Sequence, residues 1–253
     1  MKIGVQMYTI RDFCTTEDDF KLSMEKIAAI GYKSVQLSVH GHIPAAKIAE
    51  ICKNNGIEIV STHTPPQLIL DETERIIREH KMMGCGFIGI GSLPGTYERD
   101  AKGLNKFVED FIPVCKKIKE AGLMFMYHNH AFEFEKVDGK LIIDYLIEGF
   151  DKDLMGFTLD TYWVQAGGGD PVWWLDKLSG RVDTIHFKDA MVYQGQLTMT
   201  EVMEGNLNWD AIFKACERAG VKWTFIEQDK CHGKDPFECL KISYDNLAAK
   251  GYR

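Results

Sequence analysis

The chain has no basic excess, no long apolar run, no paired-cysteine spacing and no low-complexity tract. Acidic residues outnumber basic ones by 37 to 30, for a formal net charge of -7. A nucleic-acid binder is expected to carry a basic stripe, and none is visible. No stretch reaches the roughly 18 apolar residues that a membrane span needs, so no membrane partner is expected. The seven cysteines are scattered, odd in number and never spaced as CxxC. That usage predicts reduced thiols in a cytoplasmic protein. Cys231, His232 and Cys239 lie close together, but their spacing is wrong for a zinc clip. The opening MKIGVQMYTIRD lacks the apolar core and small-residue cleavage site of a signal peptide, and reads as a first strand. No GxGxxG follows that strand, which removes the usual dinucleotide fingerprint.

What remains is an ordinary globular composition, with 45% hydrophobic and 26% charged residues among 253. Disorder and fibrous classes are excluded, and a large core can be buried. Eight short apolar runs recur near 2–8, 34–38, 57–62, 87–91, 123–128, 155–160, 182–187 and 223–228. They are apolar on both faces and rich in Ile, Val, Phe or Thr, as strands of a covered parallel sheet are. Helix-like segments lie between them, and Gly31, Gly56 and Gly220 stand where helices would end. Thr16 is placed to cap the first helix, and Pro113 to kink or break a later one. The alternation predicts an α/β fold, a (β/α)8 barrel over 1–253 as a single domain. A doubly wound open sheet is the structural alternative. The stretch from Asp189 to Asn208 reads as the longest irregular loop, of the kind that acts as a lid.

A barrel carries its site at the C-terminal strand ends. Those ends offer His128, Asn129 and His130 with Glu133 after run five, and Asp160 after run six. Run seven gives His186, Lys188 and Asp189, and run eight gives Glu227, Gln228 and Asp229. Earlier runs add Gln6, Tyr8, Gln36, His40, His63 and Ser92. Two carboxylates and an imidazole converging on one point need a cation between them. Mixed oxygen and nitrogen donors without thiolate suit Mn²⁺, Mg²⁺, Co²⁺ or Zn²⁺. Singly, Asp160 reads equally as a helix cap and His186 as a core histidine, whereas Glu227 on a buried strand points to function. Lys188 can bind an anionic or hydroxyl group, or pair with its neighbour Asp189.

Taken together, GVQMYTIRD, YHNHAFEFE, LDTYWVQAGG, IHFKD, MEGNLNW and FIEQD resemble the sugar phosphate isomerase/epimerase family of xylose-isomerase-like TIM barrels, over nearly the whole chain. The resemblance implies one divalent metal, Mn²⁺ first, held by residues from strands five to eight. Asp160, His186 and Glu227 match its ligand positions. The strand-five carboxylate of the epimerases has no direct match. His128 stands near that position and Glu133 follows, so either can complete the set; Glu133 is favoured as ligand, with His128 and Glu227 as acid and base. Trp163 stands where the epimerases often have a histidine. The implied activity is proton transfer next to the keto group of a sugar, through an enediolate, giving epimerisation or isomerisation. The missing strand-five carboxylate keeps a lyase or dehydratase on a keto-sugar, inosose or 3-keto-glycoside as the alternative. His63, His130, Trp163 and Lys188 are expected to orient a small sugar or keto-sugar substrate, and homo-oligomers are common among such barrels.

Overall fold

The computed structural model describes residues 1–38 and 40–252. Eight strands stand where the apolar runs place them: β1 Lys2–Gln6, β2 Ser34–Leu37, β3 Glu58–His63, β4 Phe87–Ile90, β5 Met124–His128, β6 Met155–Asp160, β7 Thr184–Phe187 and β8 Trp223–Ile226. Neighbours pair in parallel, and β1 closes on β8. This is a closed (β/α)8 barrel, not the open sheet. The connecting helices are α1 Glu17–Ile30, α2 Ala45–Asn54, α3 Pro66–Asp71, α4 Thr73–Met83, α5 Ala101–Glu120, α6 Ile142–Gly149, α7 Thr161–Ala166, α8 Pro171–Lys177, α9 Trp209–Ala219 and α10 Pro236–Ala249. No helix among the described residues is long and apolar enough to cross a membrane.

Local chemistry explains most boundaries. The Thr16 hydroxyl accepts from the Asp19 amide, and Glu17, Asp18 and Asp19 fill the first turn of α1, where the helix dipole favours negative charge. Gly220 ends α9 at φ +79°, a left-handed conformation open to glycine. Helix α5 runs through Pro113 without the break that the sequence allowed there. Pro113 and Glu109 both lie on the exposed side, so water can take over the carbonyl that the proline leaves without a donor. The buried side of the same helix sets Phe107 and Phe111 against Tyr127 of β5 and Phe125, with Phe107 and Phe111 centroids 4.5 Å apart. Each such buried ring contributes about 1.5–3 kcal/mol.

The segment after β7 differs from the irregular loop expected of it. Asp189–Tyr193 and Gln196–Thr200 form an antiparallel hairpin. Its two-residue turn sets Gln194 at φ +50° and Gly195 at φ +77°. Positive φ at both central residues matches the twist of paired strands, which is why so short a turn closes the hairpin.

Candidate active site

Side chains alternate along a strand, so each strand of a barrel sends every second residue inward. On β7 that face carries Thr184, His186 and, one step past the strand, Lys188. On β6 it carries Thr158 and Asp160; the Thr158 and Thr184 hydroxyls meet at 2.7 Å, and Asp160 lies in register with His186. On β5 the inward residue at the rim is His128, and past the end of β8 it is Glu227. His128, Asp160, His186 and Glu227 are all buried, and each offers a donor atom within 4.8 Å of the others. These four residues could hold a metal ion.

The hydrogen bonds around the cluster fix which atoms face it. The Tyr8 amide donates to Gln6 Oε1, so Gln6 Nε2 is the donor to Gln36 Oε1 at 2.8 Å. Gln36 Oε1 then receives the proton of His186 Nε2 at 2.5 Å. In a neutral ring this leaves the lone pair on His186 Nδ1, which lies 2.9 Å from Glu227 Oε2 and 3.6 Å from Asp160 Oδ2. His128 is fixed likewise: Nδ1 donates to the Gly91 carbonyl at 2.9 Å, and Nε2 points to Asp160 Oδ2 at 3.4 Å. A backbone carbonyl or an amide oxygen behind each imidazole is the outer support that metal-ligating histidines use. Asn129 Oδ1 completes the frame by accepting the Asp160 amide at 3.0 Å.

Charge sets what the cluster lacks. Lys188 Nζ lies 2.8 Å from Glu227 Oε2, 2.9 Å from Asp229 Oδ1 and 3.2 Å from Asp160 Oδ2. Burial opposes its charge, yet the three carboxylates hold the ammonium well above the ordinary lysine range. Burial would likewise raise Asp160 and Glu227, but Lys188 and the imidazoles hold both well below the carboxylate range. His186 is raised despite its burial, chiefly by Glu227 and Asp160. One lysine faces three acids, so two negative charges stand without a fixed partner. A proton on His186 meets part of that deficit, and a divalent cation meets all of it. The donor set of two nitrogens and two oxygens fits such an ion.

The remaining sequence-derived candidates fall around this centre. His63, His130, Lys188, Glu227, Asp229 and Tyr8 line a cavity of about 520 Å³ above it. His63 Nε2, His130 Nδ1 and Trp163 Nε1 are buried without a partner. Trp163 flanks His130, with ring centroids 5.1 Å apart, and Lys188 Nζ stands 5.4 Å from the Trp163 ring. Burial first, then neighbouring His128, holds His63 and His130 below the ordinary imidazole range. Lys188 does not pair with Asp189: adjacent strand residues face opposite ways, and Asp189 turns out of the barrel to accept backbone amides. Trp174 packs in the core, while Trp173 is exposed. Asp229, named at the strand end without a role, reaches the centre through Lys188. Gln36, named among the earlier strand ends without a role, is the residue that orients His186.

Glu133, favoured as the strand-five ligand, is not brought into the group; His128 is. Glu133 Oε1 accepts the Tyr127 hydroxyl and Oε2 the His130 amide, both at 2.7 Å. Tyr127 faces outward on β5, so it draws Glu133 away from the mouth. Burial pushes the Glu133 carboxyl from 4.5 up to about 7, against those hydrogen bonds. Between these values the folded chain holds a proton that the unfolded chain has released. Stability therefore falls as pH rises through that window, by up to roughly 3 kcal/mol from this group. Glu133→Gln is expected to flatten the pH dependence of urea unfolding there. A slope equal to the wild type's would contradict this account of the carboxyl.

The fold and the polar cluster at its mouth place the chain among β/α-barrel proteins that work at the C-terminal ends of their strands. It belongs to the xylose isomerase-like TIM barrel family, whose model matches residues 24–238. Over 161 residues the chain is 25% identical to the inosose dehydratase of Lacticaseibacillus casei, covering 56% of this chain and 50% of that protein. The chain thus spans about half the length of the curated relatives it matches. Among solved structures, it superposes on a sugar phosphate isomerase/epimerase from Parabacteroides distasonis with a TM-score of 0.83 at 22% identity, over 98% of this chain and 93% of that one. An L-ribulose 3-epimerase gives a TM-score of 0.74 at 12% identity, over 98% and 94%. At these identities the superpositions show the shared fold.

Proposed function

We propose that the protein is a divalent-metal-dependent enzyme that moves a proton next to the keto group of a sugar-like substrate, as an isomerase or epimerase. One observation carries this reading. Gln36 engages Nε2 of His186 and so turns its Nδ1 to Glu227 Oε2 at 2.9 Å, inside a cluster with too few positive charges. The arrangement calls for a cation, and Mn²⁺ suits these donors, as do Mg²⁺, Co²⁺ and Zn²⁺. Asp160, His186, Glu227 and His128 would hold it. A divalent ion there supplies Lewis acidity to a carbonyl and its neighbouring hydroxyl.

The chain's own groups do the rest. Glu227, kept ionised by Lys188 and His186, accepts the proton from the carbon beside the carbonyl. Lys188 places a fixed positive charge beside the oxygens on which negative charge develops. The tautomer of His63 is set by Gln6, whose Nε2 donates to His63 Nδ1 at 3.3 Å. The His63 Nε2 proton is then free for a substrate oxygen, and the Trp163 Nε1 proton for a hydroxyl; His130 Nδ1 is a third polar handle. With Nε2 turned to the metal site and the Nδ1 proton held by the Gly91 carbonyl, His128 has no proton to give; Glu227 itself returns the proton to the neighbouring carbon, the isomerase outcome. A second reading, a lyase or dehydratase on a keto-sugar, inosose or 3-keto-glycoside, is favoured by an imidazole at β5 where a two-carboxylate shuttle would need an acid.

The test is deuterium incorporation in D₂O, read by NMR, with metal-loaded protein and a panel of ketoses, inososes and 3-keto-glucosides. Exchange at the carbon beside the carbonyl, stopped by a chelator, is the expected result. The products then separate isomerase, epimerase and lyase. No exchange with any of these sugars, nor with their phosphates, would overturn the proposal.

A further inference from the structure

We infer that the substrate has two parts: an uncharged keto-glycoside, with its sugar ring in the mouth and a hydrophobic, ring-bearing aglycone in a second cavity beside it. The inference deepens the proposed function and rests on that reading for the sugar half only. The second cavity, of about 680 Å³, lies outside the barrel wall between the exit of β2, helix α2 and helices α3 and α4. It is larger than the mouth's 520 Å³. Each volume alone lies in the range of about 300–1,000 Å³ typical of small-molecule sites.

The two cavities share Ser38, His63, Thr64 and Pro65, which form the ridge between them. That ridge is preformed. Pro65 and Pro66 restrict its backbone, and the Thr64 amide donates to the Gly89 carbonyl at 2.8 Å. The Thr64 hydroxyl lies 2.8 Å from that of Thr62, which lies 2.8 Å from His80 Nε2, and His80 Nδ1 is held by the Ile76 carbonyl at 2.8 Å. His63 lines both cavities, and its unpartnered Nε2 proton suits the oxygen that would link two halves of a ligand.

Wall chemistry selects the occupant. Leu37, Ile43, Ile48, Leu68, Ile76 and Met83 line the second cavity. Polar side chains share the lining on the α4 side and the ridge, and His40 Nδ1 is buried without a partner. Neither cavity offers a free cation for a phosphate among its described lining residues. Arg75 is paired with Glu72 and, at 2.7 Å, with Glu79, while Lys188 already faces three carboxylates. An apolar ring gains from the six aliphatic side chains, whereas a phosphoryl group would meet no uncommitted positive charge.

Calorimetric titration of the full chain with phenyl and methyl β-glucoside tests this; neither has a keto group, so no turnover intrudes. Phenyl β-glucoside is expected to bind at least about tenfold tighter. Ala45→Trp and, separately, Leu68→Phe, which narrow the second cavity, should bring the two ligands within about threefold of each other. Equal affinities in the wild type, including no detectable binding of either, would overturn the inference. So would a phenyl preference that survives both substitutions. Deuterium exchange by the wild type reads the proposed function separately: its failure alongside a phenyl preference would sink enolisation and leave the second cavity's role standing.

Discussion

Glu227→Gln is expected to lower the rate of deuterium exchange by about 10³-fold or more, in line with loss of a positioned general base. The same change should weaken divalent-metal binding, because a neutral amide replaces a charged donor. Geometry makes the loss specific. Glu227 Oε2 is the oxygen shared by His186 Nδ1 at 2.9 Å and Lys188 Nζ at 2.8 Å. Either orientation of a glutamine removes the charge both neighbours are set against. Stability is expected to fall, because Lys188 and His186 hold the Glu227 carboxyl well below its ordinary range, so its charge stabilises the fold at neutral pH. Parallel measurements of exchange, metal titration and thermal unfolding check this. Exchange within tenfold of the wild type, at full metal occupancy, would remove Glu227 from the role of base. An unchanged or raised unfolding temperature would mean that repulsion among the three acids outweighs the pairing with Lys188 and His186, and would contradict this account of the cluster.

Much of the fold is legible in the sequence because a parallel barrel writes its strands as apolar runs. Both faces of those runs are covered, so they stand out from amphipathic helices. The strand ends then follow, and with them Asp160, His186 and Glu227. Legibility fails where the deciding contact is tertiary. His128 and Glu133 are chemically plausible at one site, and only the outward pull of Tyr127 separates them. Gln36 looks like any buried amide until His186, 150 positions away, is seen to need its oxygen. The hairpin after β7 is hidden for another reason: Gln194 must take a positive φ that its residue type does not announce. Asp229 gains its place through Lys188, whose three partners come from two strand ends.

Asp189→Ala is expected to destabilise the chain by about 3–5 kcal/mol, because several buried N–H donors lose their shared acceptor at about 1–3 kcal/mol each. Asp189 is fully buried and lacks a cationic partner; amides do that work. Its Oδ1 accepts from the Ala190 amide at 2.7 Å and the Leu207 amide at 3.3 Å. Its Oδ2 accepts from the Met203 amide at 2.9 Å, the Gly205 amide at 3.0 Å and Trp209 Nε1 at 2.6 Å. Gly205 is required for this approach, because a Cβ there would lie 2.4 Å from the Ala190 carbonyl oxygen and 2.5 Å from Asp189 Oδ1. One carboxylate thus ties the hairpin to the start of α9, and the hairpin base in turn packs with Tyr162 beside Trp163. Alanine leaves these donors in a dry pocket with no acceptor. For a domain of this size the thermal midpoint should fall by roughly 10 °C. Asp189→Asn, which keeps one acceptor, should fall between alanine and wild type. Amide hydrogen exchange adds a local readout: Met203, Gly205 and Leu207 are expected to lose protection first. A midpoint within about 2 °C of wild type, with those amides still protected, would show that the carboxylate does not organise this segment.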